Sequence, residues 1–390
     1  MNDVVSTLNL IYLDHAATTP VHPEVVEAMM PYWTNSFGNA SSTHWAGRDA
    51  KSALNEARDR IASFVGCAPS ELVFTGGGTE SDNMALFGAA EANRARGNHI
   101  VTTQIEHHAV LHACERLERL GYEVTYVPVD EYGRVSVDDI KSALRPDTIL
   151  ISVMYGNNEV GTLQPIEAIG ALAREKGIAF HVDAVQALAY MPLHLHALPV
   201  DFMSFSAHKL NGPKGVGALY IAKNARFVPL GYGGSQERKR RPGTENTPAI
   251  AGFAKAVELF DRARYEKKHH VETLRQELVN ELEKRLSPDD FIVNGHPSER
   301  LPHILNVSFP GVSTESMLMN LDLAGVAAAS GSACTSGSLE VSHVLKAMGL
   351  SEARTSSAIR FSFGASNDSA QIRETASRVE TVIRRLRSIV

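Results

Sequence analysis

Cysteine is scarce in this sequence of 390 residues, which contains only Cys67, Cys114 and Cys334. An odd number at wide spacing argues against a disulfide framework and favours a reducing, cytoplasmic setting. Long apolar runs are also missing, since no stretch approaches the roughly 20 residues that cross a membrane. The first residues lack the basic and apolar regions of a secretory signal peptide, so we expect none.

Charge of one sign is not in excess either. The 38 Lys and Arg residues face 44 Asp and Glu residues, which gives a net charge of −6. Without a basic stripe, we expect no direct binding of nucleic acid. The hydrophobic fraction of 44% is enough for a large buried core.

Short apolar runs alternate with amphipathic stretches along most of the chain. The predicted strands cover 71–75, 99–103, 123–128, 148–155, 179–183 and 202–206, with a possible antiparallel return strand at 215–221. This alternation predicts βαβ units and a mixed, mostly parallel sheet with helices on both faces. The pattern changes after Pro248, where one or two helices are expected over 249–286, and we place a domain boundary near residue 260.

Three glycines, Gly76 to Gly78, stand between a predicted strand and a predicted helix. Open backbone N–H groups at such a helix start attract a phosphate. Thr79 is expected to cap the helix, with Asp82 completing a spacing like that of a capping box. The segment lacks the lysine of a P-loop, and a tight capped turn without any ligand is an equal alternative.

Asp183 and Lys209 each follow a predicted strand. Ligands bind at the carboxyl ends of strands in open α/β sheets, where Asp183 can pair with a protonated ring nitrogen. An ordinary helix cap is the alternative for this residue. Lys209 precedes a Gly/Pro turn, where desolvation would make it a nucleophile, and Ser206 and His208 are placed to reach the same phosphate as the glycines. We therefore favour a catalytic Lys209 over an exposed loop lysine.

Cys334 lies among small polar residues over 327–338. No bulky neighbour covers it, which favours an accessible, reactive thiol over a structural one. An incidental surface cysteine is the alternative, whereas Cys67 and Cys114 lie on segments that look packed.

Histidines are concentrated at 107–112. His107 stands where a strand ends and a helix begins, so its ring could stack on a planar cofactor and move protons. His108 and His112 have the i, i+4 spacing of zinc ligands, but no third ligand is evident. We predict no metal site from them.

Ten short motifs occur in order along nearly the whole chain. They are YLDHAATTP (12–20), GNASS (38–42), FTGGGTESDN (74–83), EHHAV (106–110), YGNNEVGT (155–162), HVDAVQ (181–186), SAHKLNGPKG (206–215), RPGTEN (241–246), SGSACTSGSLE (330–340) and IRFSFG (359–364). Together they resemble the cysteine desulfurases of fold type I within the class V aminotransferase family, which use pyridoxal 5'-phosphate (PLP). The SGSACTS segment resembles the nitrogen-fixation and iron–sulfur cluster subgroup with a long cysteine loop.

The resemblance implies an α/β fold with a mostly parallel seven-stranded sheet, helices on both faces and a smaller α+β C-terminal domain. Residues 15–260 would form the large PLP-binding domain. Residues 1–14 and 261–390 would form the small domain, which would carry a mobile cysteine loop at about 325–342. A homodimer is implied as well.

The resemblance also implies residue roles. Lys209 would form the Schiff base with PLP, Asp183 would pair with the pyridinium nitrogen and Gln186 with the ring hydroxyl. His107 would stack on the ring and transfer protons, and Asn158 and Arg360 would bind the substrate carboxylate. The phosphate would be bound by Gly78, Thr79, Ser206 and His208, together with Thr244 of the neighbouring subunit.

The implied reaction converts L-cysteine to L-alanine and places the sulfur on Cys334 as a persulfide. The sulfur would then pass to an acceptor protein for iron–sulfur cluster assembly or tRNA thiolation, and Cys334 could transiently ligate a cluster. Family members that dock a cluster scaffold through a C-terminal extension run longer than this sequence, so docking of a scaffold in this way stays an open question.

Three alternatives stay open at this point. A selenocysteine lyase or another PLP-dependent, aminotransferase-like enzyme would use Lys209 and Asp183 equally well, but transamination needs no acceptor thiol such as Cys334. An inactive homologue could act as an assembly subunit. A zinc hydrolase could use His108 and His112.

Overall fold

The computed structural model describes residues 10–331 and 341–388. Its strands are β1 (Ile11–Tyr12), β2 (Leu72–Thr75), β3 (His99–Thr103), β4 (Glu123–Val127), β5 (Thr148–Ser152), β6 (Ala179–Asp183), β7 (Phe202–Ser206), β8 (Gly217–Ile221), β9 (Ile292–Asn294), β10 (Ile304–Ser308), β11 (Val326–Ala327) and β12 (Ala358–Ser362). Its α-helices are α1 (Pro23–Met29), α2 (Pro31–Thr34), α3 (Trp45–Val65), α4 (Gly78–Asn93), α5 (His108–Arg119), α6 (Val137–Ala143), α7 (Ile166–Lys176), α8 (Thr247–Arg262), α9 (Arg264–Arg285), α10 (Thr314–Leu323), α11 (His343–Ala347), α12 (Glu352–Thr355) and α13 (Ser369–Arg387).

Seven strands form the central sheet in the order β2-β8-β7-β6-β5-β3-β4. Strand β8 runs antiparallel to both β2 and β7, and the other neighbours are parallel. Every residue of β5 is buried, as expected for a short apolar strand covered on both faces. The predicted seven-stranded, mostly parallel sheet and its antiparallel return strand are confirmed.

The two faces of this sheet belong to separate apolar cores. In β5, Leu150 packs with side chains of α4 and α5, whereas the next residue, Ile151, packs with side chains of α3, α7 and α8. In β7, Phe202 belongs to the same core as Leu150, and the next residue, Met203, belongs to the same core as Ile151. Because successive strand residues point to opposite faces, both faces are covered by helices, as predicted.

Two smaller sheets are formed by C-terminal strands together with the N-terminal strand β1. Strands β9, β10 and β12 form an antiparallel sheet in the order β12-β10-β9, and β1 pairs in parallel with β11. Helix α9 packs against α13. The chain turns at Ala263 between α8 and α9, close to the predicted boundary, and the assignment of 15–260 and of 1–14 with 261–390 to two domains stays a prediction.

Two local predictions are wrong in detail. The strand expected over 148–155 ends at Ser152, because the backbone N–H of Met154 turns to donate to the Glu106 carboxylate at 3.0 Å. The helix expected to be capped by Thr79 begins at Gly78 instead, and its N-cap is Gly77 with φ of 149°. Such a backbone favours glycine, so the helix begins two residues earlier than it would with Thr79 as its N-cap.

No helix within 10–331 or 341–388 combines the length and the apolar character that a bilayer crossing needs.

Candidate active site

A cavity of about 360 Å³ opens at the carboxyl ends of β6 and β7, the edge where parallel sheets bind ligands. Ten of the twelve predicted site residues line it: Gly78, Thr79, His107, Asn158, Asp183, Gln186, Ser206, His208, Lys209 and Arg360. Residues from six separate motifs therefore meet in one place. Their roles in chemistry stay predictions until they are tested.

The glycine segment forms one end of the cavity. A side chain on Gly78 would place its Cβ 2.6 Å from Val185, so only glycine lets the two segments approach this closely. Among the described residues, no side chain caps α4. The first N–H groups of this long helix therefore face the cavity without a protein partner at the cap, which suits a phosphate.

Ser206 and His208 lie beside the glycine segment. Ser206 is the last residue of β7, and His208 follows in the 3₁₀ turn Ala207–Lys209. The Nδ1 atom of His208 lies 3.1 Å from the Thr18 hydroxyl oxygen. Burial, and then the positive charges of Lys209 and Lys214, lower the pKa of His208 to about 4. This ring is therefore neutral near pH 7.

The Lys209 ammonium points back into the cavity rather than out to solvent. Its Nζ atom donates to the carbonyl oxygens of Ala16 at 2.6 Å and Ala17 at 2.8 Å. Burial, and then the charge of Arg360, lower the pKa of Lys209 to about 8. A lysine with this pKa has an appreciable neutral fraction at neutral pH, which a nucleophilic amine requires.

Asp183 ends β6 and is buried beside Lys209. One of its carboxylate oxygens accepts the Val185 N–H at 2.9 Å, so it shapes a turn rather than capping a helix. Burial, and then the neighbouring Asp82, raise the pKa of Asp183. Burial disfavours the charged form of this carboxylate, and a cationic partner would stabilise that form. A protonated ring nitrogen would be such a partner.

A polar network lies behind Asp183. The His181 ring joins the hydroxyls of Ser152 at 2.9 Å and Ser204 at 3.0 Å. Asp82 lies 3.5 Å from the same ring, and burial raises the pKa of Asp82 to about 7. Sequence reasoning considered Asp82 only as a cap and missed this position on the cavity wall.

Gln186 is held at both ends of its amide. Its Nε2 donates to the Ala16 carbonyl at 2.8 Å, and its Oε1 lies 3.3 Å from Nε2 of His303. The His303 ring in turn stacks on Tyr190 with a centroid separation of 4.4 Å. The amide therefore occupies a fixed position on the wall of the cavity.

Arg360 lies across the cavity from the sheet, on β12. Its guanidinium donates to the Asn158 carbonyl at 2.8 Å and to the Asp14 carboxylate at 2.9 Å. The buried Nε atom of Arg360 has no hydrogen-bond partner among residues 10–331 and 341–388. A guanidinium that lines the cavity and is always charged is suited to an incoming carboxylate.

Two predicted residues are not brought into this cavity. Thr244 is exposed and lies away from the cavity within a single chain. Cys334 lies outside the described residues. Gly331, three positions before it in sequence, does line the cavity.

His107 and His108 also line the cavity. His107 caps α5 through its ring, since its Nδ1 accepts the Ala109 N–H at 3.1 Å. The His108 ring is 5.0 Å from the His112 ring and 4.9 Å from the His343 ring, measured between centroids. Across the described parts of the chain, no three His, Cys, Asp or Glu side chains form a group suited to a metal ion.

Sequence reasoning missed Glu159 and His343, which both line the cavity. The buried Glu159 carboxylate accepts a hydrogen bond from the Ser342 hydroxyl, and a Cβ on Gly331 would overlap it. Glu159 thus touches residues on both sides of 332–340. Its place in the motif YGNNEVGT was a signal, whereas nothing local in the sequence marks His343.

Comparisons with known proteins identify the family of this chain. Residues 11–374 match the family described as Aminotransferase class-V. The chain belongs to this family. Membership confirms the predicted fold type and PLP as the cofactor, since the family is PLP-dependent.

Three similar proteins cover almost the whole chain. A protein of Methanosarcina thermophila named "Cysteine desulfurase IscS" is 48% identical over 99% of this chain and 95% of its own length. A solved structure named "NIFS-LIKE PROTEIN" superposes with a TM-score of 0.90 at 37% identity, covering 96% of this chain and 99% of that one. Another, "SspA in complex with cysteine", has a TM-score of 0.80 at 38% identity, covering 91% and 99%.

Proposed function

We propose that this protein is a PLP-dependent cysteine desulfurase that moves the sulfur of L-cysteine onto Cys334. The observation that carries the proposal is the meeting of the Lys209 amine, the Asp183 carboxylate and the Arg360 guanidinium around one cavity. At the level of reaction class, the prediction is confirmed by full-length relatives named cysteine desulfurase. The residue roles and the persulfide are the parts that need experiments.

The residues fit the cofactor. The uncapped start of α4, with the close approach of Gly78 to Val185, is suited to the phosphate, and Ser206 lies at the same end. Asp183 is suited to the ring nitrogen and Lys209 to the covalent link. When bound, PLP supplies an electron sink that makes the α-proton of an amino acid removable.

Lys209 is the proposed base for that proton. Because its pKa is lowered to about 8, the amine can both attack a carbonyl carbon and hold a proton during turnover. Its hydrogen bonds to Ala16 and Ala17 fix where the amine points.

Arg360 and Asn158 are proposed to hold the substrate carboxylate. The charged guanidinium of Arg360 lines the cavity, and its contacts with Asp14 and the Asn158 carbonyl keep the guanidinium plane fixed. Orientation of this kind sets which substrate bonds face Lys209.

Cys334 is the proposed sulfur acceptor. As a thiolate it would attack the substrate sulfur, so that an S–S bond forms while the C–S bond breaks. The electron pair left on carbon takes up a proton, and the organic product is L-alanine. An acceptor protein, for iron–sulfur assembly or tRNA thiolation, would then take the persulfide sulfur, and a cytoplasmic setting suits a chain with so few cysteines.

An exposed apolar surface supports a homodimer. Val26, Met30, Trp33, Phe37 and Trp45 have exposed fractions of 45–71%. Three of them, Val26, Met30 and Trp33, line one surface pocket, and exposed apolar side chains grouped in this way are typical of a protein interface. A second subunit would also explain Thr244, since its exposed side chain would complete the phosphate site of the partner.

Product analysis tests the proposed reaction. Purified protein loaded with PLP and given L-cysteine should release one L-alanine for each sulfur transferred. Formation of a keto acid without sulfur release would identify an aminotransferase, and activity restricted to L-selenocysteine would identify a selenocysteine lyase. Protein that takes up no PLP would support an inactive assembly subunit.

Sedimentation of the wild type and of Trp33→Glu tests the dimer. We expect a dimer for the wild type, and a weakened dimer with reduced PLP retention for the variant. A monomeric wild type with full activity would contradict the role given to Thr244.

A further inference from the structure

A polar strip crosses the central sheet near its carboxyl end, on the face that α4 covers. It is formed by Ser152 of β5, His181 and Asp183 of β6, and Ser204 of β7. The pairing of β5 with β6 and of β6 with β7 places these four side chains on one face of the sheet. Asp82, in the second turn of α4, packs on this strip.

The Asp82 carboxyl is enclosed between the strip and the cavity. Its residue is only 1% exposed, yet it lines the same cavity as Asp183. Its Oδ1 atom lies 3.5 Å from Nε2 of His181 and has no hydrogen-bond partner among residues 10–331 and 341–388. A buried polar atom without a partner is uncommon, because its desolvation is not compensated. The packing of the fold alone therefore gives no reason for a carboxyl at this position.

We propose that Asp82 is a positioning residue for the cofactor: its negative charge adds to that of Asp183 and helps to keep the ring nitrogen of PLP protonated. This inference rests on the proposed pairing of Asp183 with that nitrogen. Asp183 would contact the nitrogen, and Asp82 would act on it at longer range. Charge near the ring nitrogen is one of the ways in which a protein tunes PLP as an electron sink.

Asp82 and Asp183, which we call the carboxyl pair, act on each other. Burial, and then the charge of Asp82, raise the pKa of Asp183. Burial raises the pKa of Asp82 to about 7, an effect that the Ser204 hydroxyl opposes. Two neighbouring buried carboxyls resist ionising together, and a cation beside them favours the charged form of both. The carboxyl pair is therefore suited to a cationic ring more than a single carboxylate would be.

The other titratable groups around the carboxyl pair are less suited to supply this charge. Burial lowers the pKa of His181 to about 4, and it also lowers that of His107, so both rings are neutral near pH 7. Burial raises the pKa of Glu106 to about 8, which keeps this carboxyl protonated there. Lys209 is the amine that would be joined to the cofactor. Asp82 is thus the second carboxyl whose charge can respond to a cation in the cavity near neutral pH.

Asp82→Asn tests this role, because asparagine keeps the shape of the side chain and removes its charge. The protein is depleted of cofactor and then titrated with PLP or with an analogue in which carbon replaces the ring nitrogen. We expect PLP to bind about tenfold more weakly to the variant than to the wild type, which corresponds to one unit in the pKa of the ring nitrogen. The analogue has no nitrogen to protonate, so it should bind equally to both proteins.

Two further variants calibrate this comparison. Asp59→Asn is the matched control, because Asp59 is exposed on α3, which packs on the opposite face of the sheet, and it should change neither affinity. Asp183→Asn should weaken PLP binding more than Asp82→Asn does. Adding Asp82→Asn to it should cause little further loss, because the nitrogen then has no contacting carboxylate to keep it protonated.

Nitrogen-15 NMR of bound, ¹⁵N-labelled PLP measures the charge of the ring directly. At pH 8 the ring nitrogen should be more fully protonated in the wild type than in Asp82→Asn. Retained binding of the analogue shows that the variant is folded. Asp82→Ser repeats the comparison with a smaller neutral side chain, and it should show the same selective loss of affinity for PLP.

An equal loss of affinity for PLP and for the analogue would overturn the inference, because Asp82 would then support the shape of the site and not the charge of the ring. An unchanged affinity for PLP, or an unchanged nitrogen signal, would overturn it as well. A wild type that binds PLP no more tightly than the analogue would instead contradict the proposed pairing of Asp183 with the ring nitrogen, and the inference with it.

Discussion

The two walls of the cavity are built in different ways. We call the residues at the strand ends, Gly78, Asp183, Ser206 and Lys209, the sheet wall. We call Asn158, Gly331, His343 and Arg360, which face it, the opposite wall. Each residue of the sheet wall ends or directly follows a strand of the central sheet, or starts a helix beside it.

The opposite wall depends on contacts between distant parts of the chain. Arg360 pairs with Asp14, 346 positions away, and His343 reaches Glu106, 237 positions away. The sheet wall is thus suited to hold a resident cofactor on a rigid frame. The opposite wall is suited to the substrate and sulfur, and it depends on packing between separate segments.

Lys209→Ala should have the largest effect, because it removes the group of the sheet wall that joins the cofactor. With no amine to join PLP, we expect loss of visible absorbance and a fall in turnover on the order of 10³-fold or more. Lys214→Ala, the exposed neighbour, is the matched control and should keep both. A coloured, active Lys209→Ala protein would remove the premise of the proposed function.

Arg360→Lys should weaken substrate binding at the opposite wall and leave cofactor binding at the sheet wall unchanged. Lysine cannot offer the planar fork that binds a carboxylate, so kcat/KM for L-cysteine should fall about 10²-fold, mostly through KM, while PLP absorbance stays. Arg373→Lys changes an exposed pair with Glu277 and serves as the control. An unchanged KM would show that the substrate carboxylate binds elsewhere.

Gly331→Ala tests the contact beside 332–340. The new Cβ would overlap the Glu159 carboxylate, so the segment must shift, and we expect sulfur transfer to slow about tenfold while PLP binding is kept. Adding Glu159→Ala should recover part of the loss. If the double variant is slower than Gly331→Ala, the overlap is not the cause.

His303→Gln should give the smallest effect, on stability with pH. Burial lowers the pKa of His303 to about 3, below its ordinary 6.5. Between these values the unfolded chain binds a proton that the folded chain refuses, so stability falls as pH drops below 6.5. The wild type should lose up to about 1.4 kcal/mol per pH unit more than the variant. Urea unfolding of both proteins at pH 7 and pH 5 checks this prediction. If the wild type and the variant lose the same free energy of unfolding between these pH values, the pKa of His303 is not lowered by folding.

The sheet wall could be predicted because its signals are local. Asp183 closes an apolar strand, Lys209 follows the end of the next one by three positions, and the pairing of the two strands brings the residues together. The Thr79 cap was wrong because backbone dihedrals at Gly77 are not legible in the sequence. Tyr155 and its apolar neighbours extended the predicted β5 too far, because a buried loop and a strand have the same composition.

The opposite wall was only partly predictable. Arg360 and Asn158 were predicted because the motifs that contain them, IRFSFG and YGNNEVGT, resemble those of the cysteine desulfurases. His343 and Glu159 take their positions from single contacts across the chain, with Glu106 and Ser342, which no local pattern encodes.

Peptide mass spectrometry after incubation with PLP and L-cysteine tests the central claim most directly. The account predicts one added sulfur on Cys334 and none on the other cysteines, because burial raises the pKa of Cys67 to about 12 and also raises that of the buried Cys114. Cys334→Ser should carry no added sulfur while still binding PLP. Full turnover in that variant, or sulfur on Cys67 or Cys114 instead of Cys334, would contradict the account.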